Sequence, residues 1–109
     1  MSSPPIGNLR RRITLEAAAR ASDGGGGVAV TWSAVATVWA EIKGLSGAEV
    51  VVAEGLQGKV THEIVIRKRL DVSPAMRLRY GARIFTIWAV LDRDGPEPFI
   101  RIQAEERLQ

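Results

Sequence analysis

Thr61-His62-Glu63-Ile64-Val65-Ile66-Arg67-Lys68-Arg69-Leu70-Asp71 is the stretch whose reading decides the fold. It is rich in β-branched residues and its side chains alternate, the pattern of one long strand. Val60, His62, Ile64, Ile66 and Leu70 fall on one face. Thr61, Glu63, Arg67 and Arg69 fall on the other, where Val65 interrupts the polar pattern. Slipping the register by one residue would exchange the two faces, so a half-buried strand fixes it firmly. Three basic residues in succession close the stretch and set charge beside an apolar wall.

The segments around it supply partners. Alternation from Leu9 to Ala18 predicts a first strand anchored by Ile13 and Leu15, with Arg10, Arg12 and Thr14 facing water. Helix is the rival there because Leu15 to Ala21 is alanine-rich, but no capping residue sits where that helix would start. Ser22-Asp23-Gly24-Gly25-Gly26-Gly27 breaks the pattern; four glycines make a long loop that is costly to order. Val28 to Ile42 returns to β character, with Val38, Ala40 and Ile42 opposite Trp39 and Glu41. Gly44-Leu45-Ser46-Gly47 predicts a turn. Over 47–57 the residues leave two readings open. Ser46 and Glu49 have the spacing of a capping box before a short helix, whereas Val50-Val51-Val52 disfavours helix.

Beyond Ser73-Pro74, Met76 and Leu78 alternate with Arg77 and Arg79, and Tyr80-Gly81-Ala82 makes a tight connection. Arg83 to Leu91 is apolar on both faces, which predicts burial on both sides. Asp92-Arg93-Asp94-Gly95-Pro96 is a hairpin turn signal. Phe99 to Glu106 closes the chain with Ile100, Ile102 and Ala104 facing in. The expectation is a mainly all-β fold: a small β-barrel of about six strands, one long Gly-rich loop and room for one short helix. Residues 1–8, with Pro4, Pro5 and Gly7, read as a poorly ordered arm, and 9–109 as a single domain.

Composition narrows the chemistry. The chain has 109 residues, 46% hydrophobic and 25% charged, and carries a formal charge of +3. No apolar run approaches the ~20 residues of a membrane-spanning helix, and the first residues lack the basic-then-apolar order of a signal peptide. There is no cysteine and one histidine, so a zinc site of the usual type is not expected. His62, on the apolar face of its strand, reads as a satisfied core or interface histidine. No serine sits in a nucleophile elbow. Asp92-Arg93-Asp94-Gly95 resembles the start of a calcium loop but lacks its later acidic positions. Ala53 to Val60 fails the phosphate-loop pattern at both ends. No enzyme, cofactor or metal is expected. The arginine clusters, Arg10 to Arg12, Arg67 to Arg69, and Arg77, Arg79 and Arg83, could track a phosphate backbone without reading bases. Most aromatic residues occupy positions expected to face in, so stacking platforms are not expected.

The order of segments carries a resemblance. Ile6-Gly7-Asn8-Leu9-Arg10-Arg11-Arg12-Ile13-Thr14-Leu15 precedes the Asp23 glycine loop. Thr31-Trp32, Ala36-Thr37-Val38-Trp39-Ala40-Glu41-Ile42 and Leu45-Ser46-Gly47-Ala48-Glu49 follow. Thr61-His62-Glu63-Ile64-Val65-Ile66-Arg67 and Gly81-Ala82-Arg83-Ile84-Phe85-Thr86-Ile87 complete the succession. From about Ile6 to Glu105 the chain resembles the phage head-tail joining family of adaptor and head-closure (stopper) proteins, which includes gene transfer agent relatives. It departs in its four-glycine loop, in Lys43-Gly44 before the Leu-Ser-Gly, and in Lys68.

The resemblance implies a non-catalytic β-barrel assembled in the bacterial host cytoplasm into a virion or phage-like particle. Its implied partners are further copies of itself in a ring, a portal-side adaptor, a tail-side terminator, and double-stranded DNA passing without sequence preference; no membrane is implied. Expected interface or DNA-channel residues are Asp23, Gly24, Gly25, Gly26, Gly27, Arg67, Lys68 and Arg69. The alternative is a free β-barrel module that binds nucleic acid through its basic faces.

Overall fold

The computed structural model describes residues 9–22, 24–53 and 56–107, with side chains described outside 46–53 and 56–58. The expected N-terminal arm (1–8) and Asp23 lie outside the described residues. Six strands follow in order: β1 (Arg11–Ser22), β2 (Val28–Ala53), β3 (Leu56–Arg67), β4 (Met76–Tyr80), β5 (Arg83–Leu91) and β6 (Phe99–Arg107). All pairings are antiparallel, and the order β1-β2-β3-β6-β5-β4 closes through β1 and β4 into a barrel.

The alternation read from β3 sets the interior. Ile64 and Ile66 are fully buried and face Ile102 and Ile100 of β6 across the ladder. Ile13, Leu15, Leu78, Phe85, Ile87 and Ala104 complete the same core, and Val38, Ile42 and Val90 pack against it. Val65, the residue that broke the polar face, has its own cover: it is buried outside the barrel wall with Leu9 and Phe99. Its apolar character is therefore satisfied by a small external cluster.

Several expectations are corrected. The option of a helix over 47–57 fails, because Glu49–Ala53 pairs with Leu56–Val60 in the β2–β3 hairpin. The β-branched valines prevailed over the capping-box spacing. The Gly44–Gly47 turn is instead a wide irregularity inside β2: Gly44 pairs with His62 and Glu49 with Val60, which leaves 45–48 opposite Thr61 alone. β3 ends at Arg67, so Lys68 to Asp71 lie beyond it, and Leu70, assigned to the inner face, is 78% exposed.

β5 does not alternate cleanly either. Phe85 and Ile87 point inward, a bulge at Trp88 shifts the register, and Val90 resumes packing on the core. This bulge explains how both faces read as apolar without both being fully buried. Trp88 instead lies half-buried and donates its indole N–H to Glu105 Oε1 at 3.0 Å. The tight connection after β4 is a two-residue hairpin loop, closed by the Tyr80–Arg83 pair, with Gly81 at φ 60°. Positive φ at the first loop position only is the pattern of a II′ turn, which matches the strand twist. The Asp92–Gly95 turn forms as expected, with Gly95 N–H donating to the Asp92 carbonyl at 3.2 Å.

β2 is longer than the barrel is tall, and this shapes the molecule. β1 meets β4 only over Thr14–Ala17, and β3 meets β2 only from Ala40 onward. Ala18–Ser22 and Val28–Trp32 therefore leave one end of the barrel as a two-stranded ribbon, and over Ser33–Trp39 β2 keeps β1 as its one strand partner among the described residues. Glu49–Ala53 and Leu56–Val60 form a hairpin at the other end. The long axis measures 51 Å against 28 Å across.

Candidate interface surfaces

The ribbon carries the glycine loop at its tip. Ser22 pairs with Val28, and the described Gly24–Gly27 lie in the turn between them. Gly24 and Gly26 hold φ of 83° and 88°, the left-handed region where glycine alone pays no steric cost. The Gly24 N–H donates to Ser22 Oγ at 3.3 Å. Gly25 and Gly27 lie in the same exposed turn. Below the tip, cross-strand pairing puts Val28, Val30 and Trp32 on the outer face with Ser22, Arg20 and Ala18. Val28, Val30, Trp32 and Val35 are all at least 36% exposed. Ala19, Ala21, Ala29, Thr31 and Ser33, all small, continue the line of the barrel's inner face.

The root of the ribbon is held by charge. Glu16 is 7% exposed, yet its carboxylate accepts from Arg77 Nε at 2.6 Å and lies 3.3 Å from Arg79 Nε. The Arg77 guanidinium sits 4.3 Å from the centre of the Trp32 ring. One arginine thus joins β4, the buried carboxylate of β1 and the first outward aromatic residue of the ribbon. A guanidinium over an indole face is favourable, and the carboxylate offsets its desolvation. Arg77 and Arg79, expected to contribute to a phosphate-facing cluster, share the single carboxylate of Glu16, which leaves one net positive charge at the ribbon root. Arg83 is likewise committed, bidentate to Glu106 at 2.8 and 3.1 Å.

The side chains of the Arg67-Lys68-Arg69 run turn to different partners. Arg69 is bidentate to Asp71 at 3.0 and 2.8 Å. That hydrogen bond, above all, raises the Arg69 pKa and lowers that of Asp71. Lys68 turns into the β5–β6 connection, where its ammonium donates to the Gly95 carbonyl. Arg67 is exposed and lines an open groove of about 470 Å³ with Leu9, Arg10 and Trp39. Arg12 reaches the same tryptophan from β1, 5.4 Å from its ring centre. The glycine loop is remote from this groove, by about 40 Å along β2 at ~3.3 Å per residue.

Trp39 is 54% exposed, so the expectation that most aromatic residues face in does not extend to it. Its alternation against Val38 and Ala40 already placed it on the outer face, and the structure joins it there with Arg10, Arg12 and Arg67. Sequence reading missed this basic aromatic groove because its members come from three separate segments. The signal available was the outward phase of Trp39 itself.

His62 is partly buried at the opposite end of the barrel. Its ring meets Phe85 edge-on at 5.2 Å, and Nδ1 lies 2.9 Å from Thr61 Oγ1. That hydroxyl accepts from the Glu106 N–H at 2.9 Å, so its own proton is available to Nδ1. On the other side of the ring Nε2 lies 3.8 Å from Glu106 Oε1 and 3.5 Å from Arg83 Nη2. Burial pushes the His62 pKa down, Glu106 opposes the shift, and Arg83 adds to it. Glu106 is itself held below its ordinary range, mainly by its hydrogen bonds from Arg83. Among the described residues no group of three or more His, Asp or Glu side chains could hold a metal ion. Its packing on Phe85 and its contacts with Thr61 and Glu106 give the histidine partners on each side of the ring.

The comparisons with known proteins agree with this architecture. No curated protein gives a significant match. A chain from the virion of a native gene transfer agent (GTA) particle superposes with a TM-score of 0.65 at 34% sequence identity, covering 93% of this chain and 97% of that one. The family model for phage head completion protein matches residues 4–107. The chain belongs to the phage head completion protein family.

Proposed function

We propose that this protein is a structural connector which completes the head of a tailed phage or gene transfer agent. In this reading it assembles as a ring beneath the portal, joins the capsid to the tail, and helps to retain and channel double-stranded DNA. The observation that carries the reading is the match over nearly the whole chain to the head completion family, together with its likeness to a chain of a GTA virion. A barrel with one uncovered ribbon and most of its arginines paired internally fits a part built for assembly. The particle role assigns partners on both sides of the ring: a portal-side adaptor and a tail-side terminator.

Within this role the glycine loop at 23–27 meets a neighbouring subunit or the channel, and becomes ordered only on assembly. Four consecutive glycines are costly to order. Of the basic run, Arg67 is the member placed to meet a neighbour's carboxylates or passing DNA, with Arg10 and Arg12 beside it. Lys68 and Arg69 contribute through the loops they hold. A ring multiplies weak contacts by its copy number, so no tight site is needed on one subunit.

The test is genetic. Particles made without the protein should contain filled heads that leak DNA or fail to join tails, and supplying the native chain should restore them. Tailed, infectious or transducing particles formed equally well without it would overturn the role. Tight, sequence-selective DNA binding by isolated subunits at physiological salt would instead favour a free nucleic-acid-binding module.

A further inference from the structure

From Val28 to Trp39, β2 has β1 on one side and, among the described residues, no strand on the other. That open edge spans about 40 Å at ~3.3 Å per residue. Proteins normally blunt such an edge with charge, proline or a bulge turned away from solvent. Here the segment contains no charged residue, no proline and no glycine. Its one irregularity, at Val35, exposes another apolar side chain. Val28, Val30, Trp32, Val35 and Trp39 are all substantially exposed along it. A two-stranded ribbon with this composition is marginal in water and gains by adding a strand.

We infer that the Val28–Trp39 edge of β2 is a strand-addition surface for a second copy of this chain, joined head to tail. The inference rests on the ring reading above and names the surface that would make the ring. The chain itself supplies the matching half. At the opposite end of the barrel, β3 pairs with β2 over Leu56–Val60 and, among the described residues, gains a second strand partner only where β6 joins at His62, with the Glu106 N–H reaching Thr61 Oγ1. Contact with an unrelated protein would require one open edge, whereas this fold leaves open edges at both ends of one long axis. The edge is also longer than the 28 Å width of the body, so it can reach past its own barrel to the next. Joining unlike ends is a heterologous contact, the kind that closes into rings. Backbone hydrogen bonds would supply the affinity, and Val30 and Trp32 the side-chain selectivity.

Photo-crosslinking in assembled particles tests this. With Val30 replaced by p-benzoylphenylalanine, irradiation should yield a product of twice the 11.8 kDa chain mass, and peptide mapping should place the acceptor within 49–61. Val30→Lys, at an exposed position, should keep the native circular dichroism and lose at least tenfold in incorporation into particles. A product with a different virion protein overturns the inference and leaves the head completion role standing. An acceptor within 18–39 of the second copy overturns it too, since that contact is two-fold. Incorporation of Val30→Lys at the native level has the same consequence. Absence of the native chain from particles would refute the head completion role itself.

Discussion

Ile64→Ala and Leu70→Ala form a matched pair, because alternation along 60–71 assigns both residues to one face. The structure separates them: Ile64 is fully buried between β2 and β6, and Leu70 is 78% exposed beyond the end of β3. Truncating Ile64 removes three carbon atoms from a closed core. At about 0.8 kcal/mol per buried methylene the transfer part is roughly 2.4 kcal/mol. The cavity between Ile42 and Ile102 adds to it, for about 2–5 kcal/mol in total. Leu70→Ala should stay within about 0.5 kcal/mol. Urea unfolding followed by tryptophan fluorescence measures both, and an unchanged slope shows that the midpoint shift is a stability change. Against a domain stability of about 5–15 kcal/mol, the Ile64 variant should lose a large share. Equal midpoints for the two variants would refute the assignment of the barrel interior.

Three further expectations follow from the polar contacts and the backbone. Glu16→Ala should destabilise by about 2–4 kcal/mol, since it strands Arg77 in a partly buried site; an effect below 0.5 kcal/mol, on the scale of an exposed pair, would show that the ribbon root does not depend on it. Gly81→Val should cost about 1–2 kcal/mol in denaturant titration because φ is positive there, whereas a neutral result would mean the turn has another form. His62 has a lowered pKa in the folded state, so its contribution is fully present above the unfolded value of about 6.5. It is lost as pH falls below that value, because the unfolded chain takes up the proton first. Thermal unfolding from pH 8 to 5 should therefore show a decline starting near 6.5 in the native chain and absent in His62→Gln; identical profiles would place the decline elsewhere.

The barrel was legible where one face is buried and one is wet. Apart from Val65 and Phe99, which form an outer cluster, β3 and β6 alternate, and Ile64, Ile66, Ile100 and Ile102 fall where period two places them. Legibility failed where a local rule competed with pairing. Ser46 and Glu49 have a capping spacing, but the valines after them found partners in β3 instead of completing a helix. Trp88 is a bulge, which no period can announce. Leu70 kept the phase of a strand that had already ended. Of the candidate site, the exposed glycine turn could be read because glycine is a local signal. Its extension into a bare ribbon could not, since that depends on where β3 and β4 stop. The partners of the basic run were half legible: Asp71 stands two residues from Arg69, whereas the Gly95 carbonyl that engages Lys68 is brought there by tertiary placement.

The most direct measurement is a reconstruction of the assembled particle by electron cryo-microscopy. The account predicts a closed ring of this chain at the single vertex where the tail joins, with each barrel's β1–β2 ribbon lying on the adjacent copy. Finding the chain elsewhere in the particle, or as isolated subunits making no contact with one another at that vertex, would contradict it.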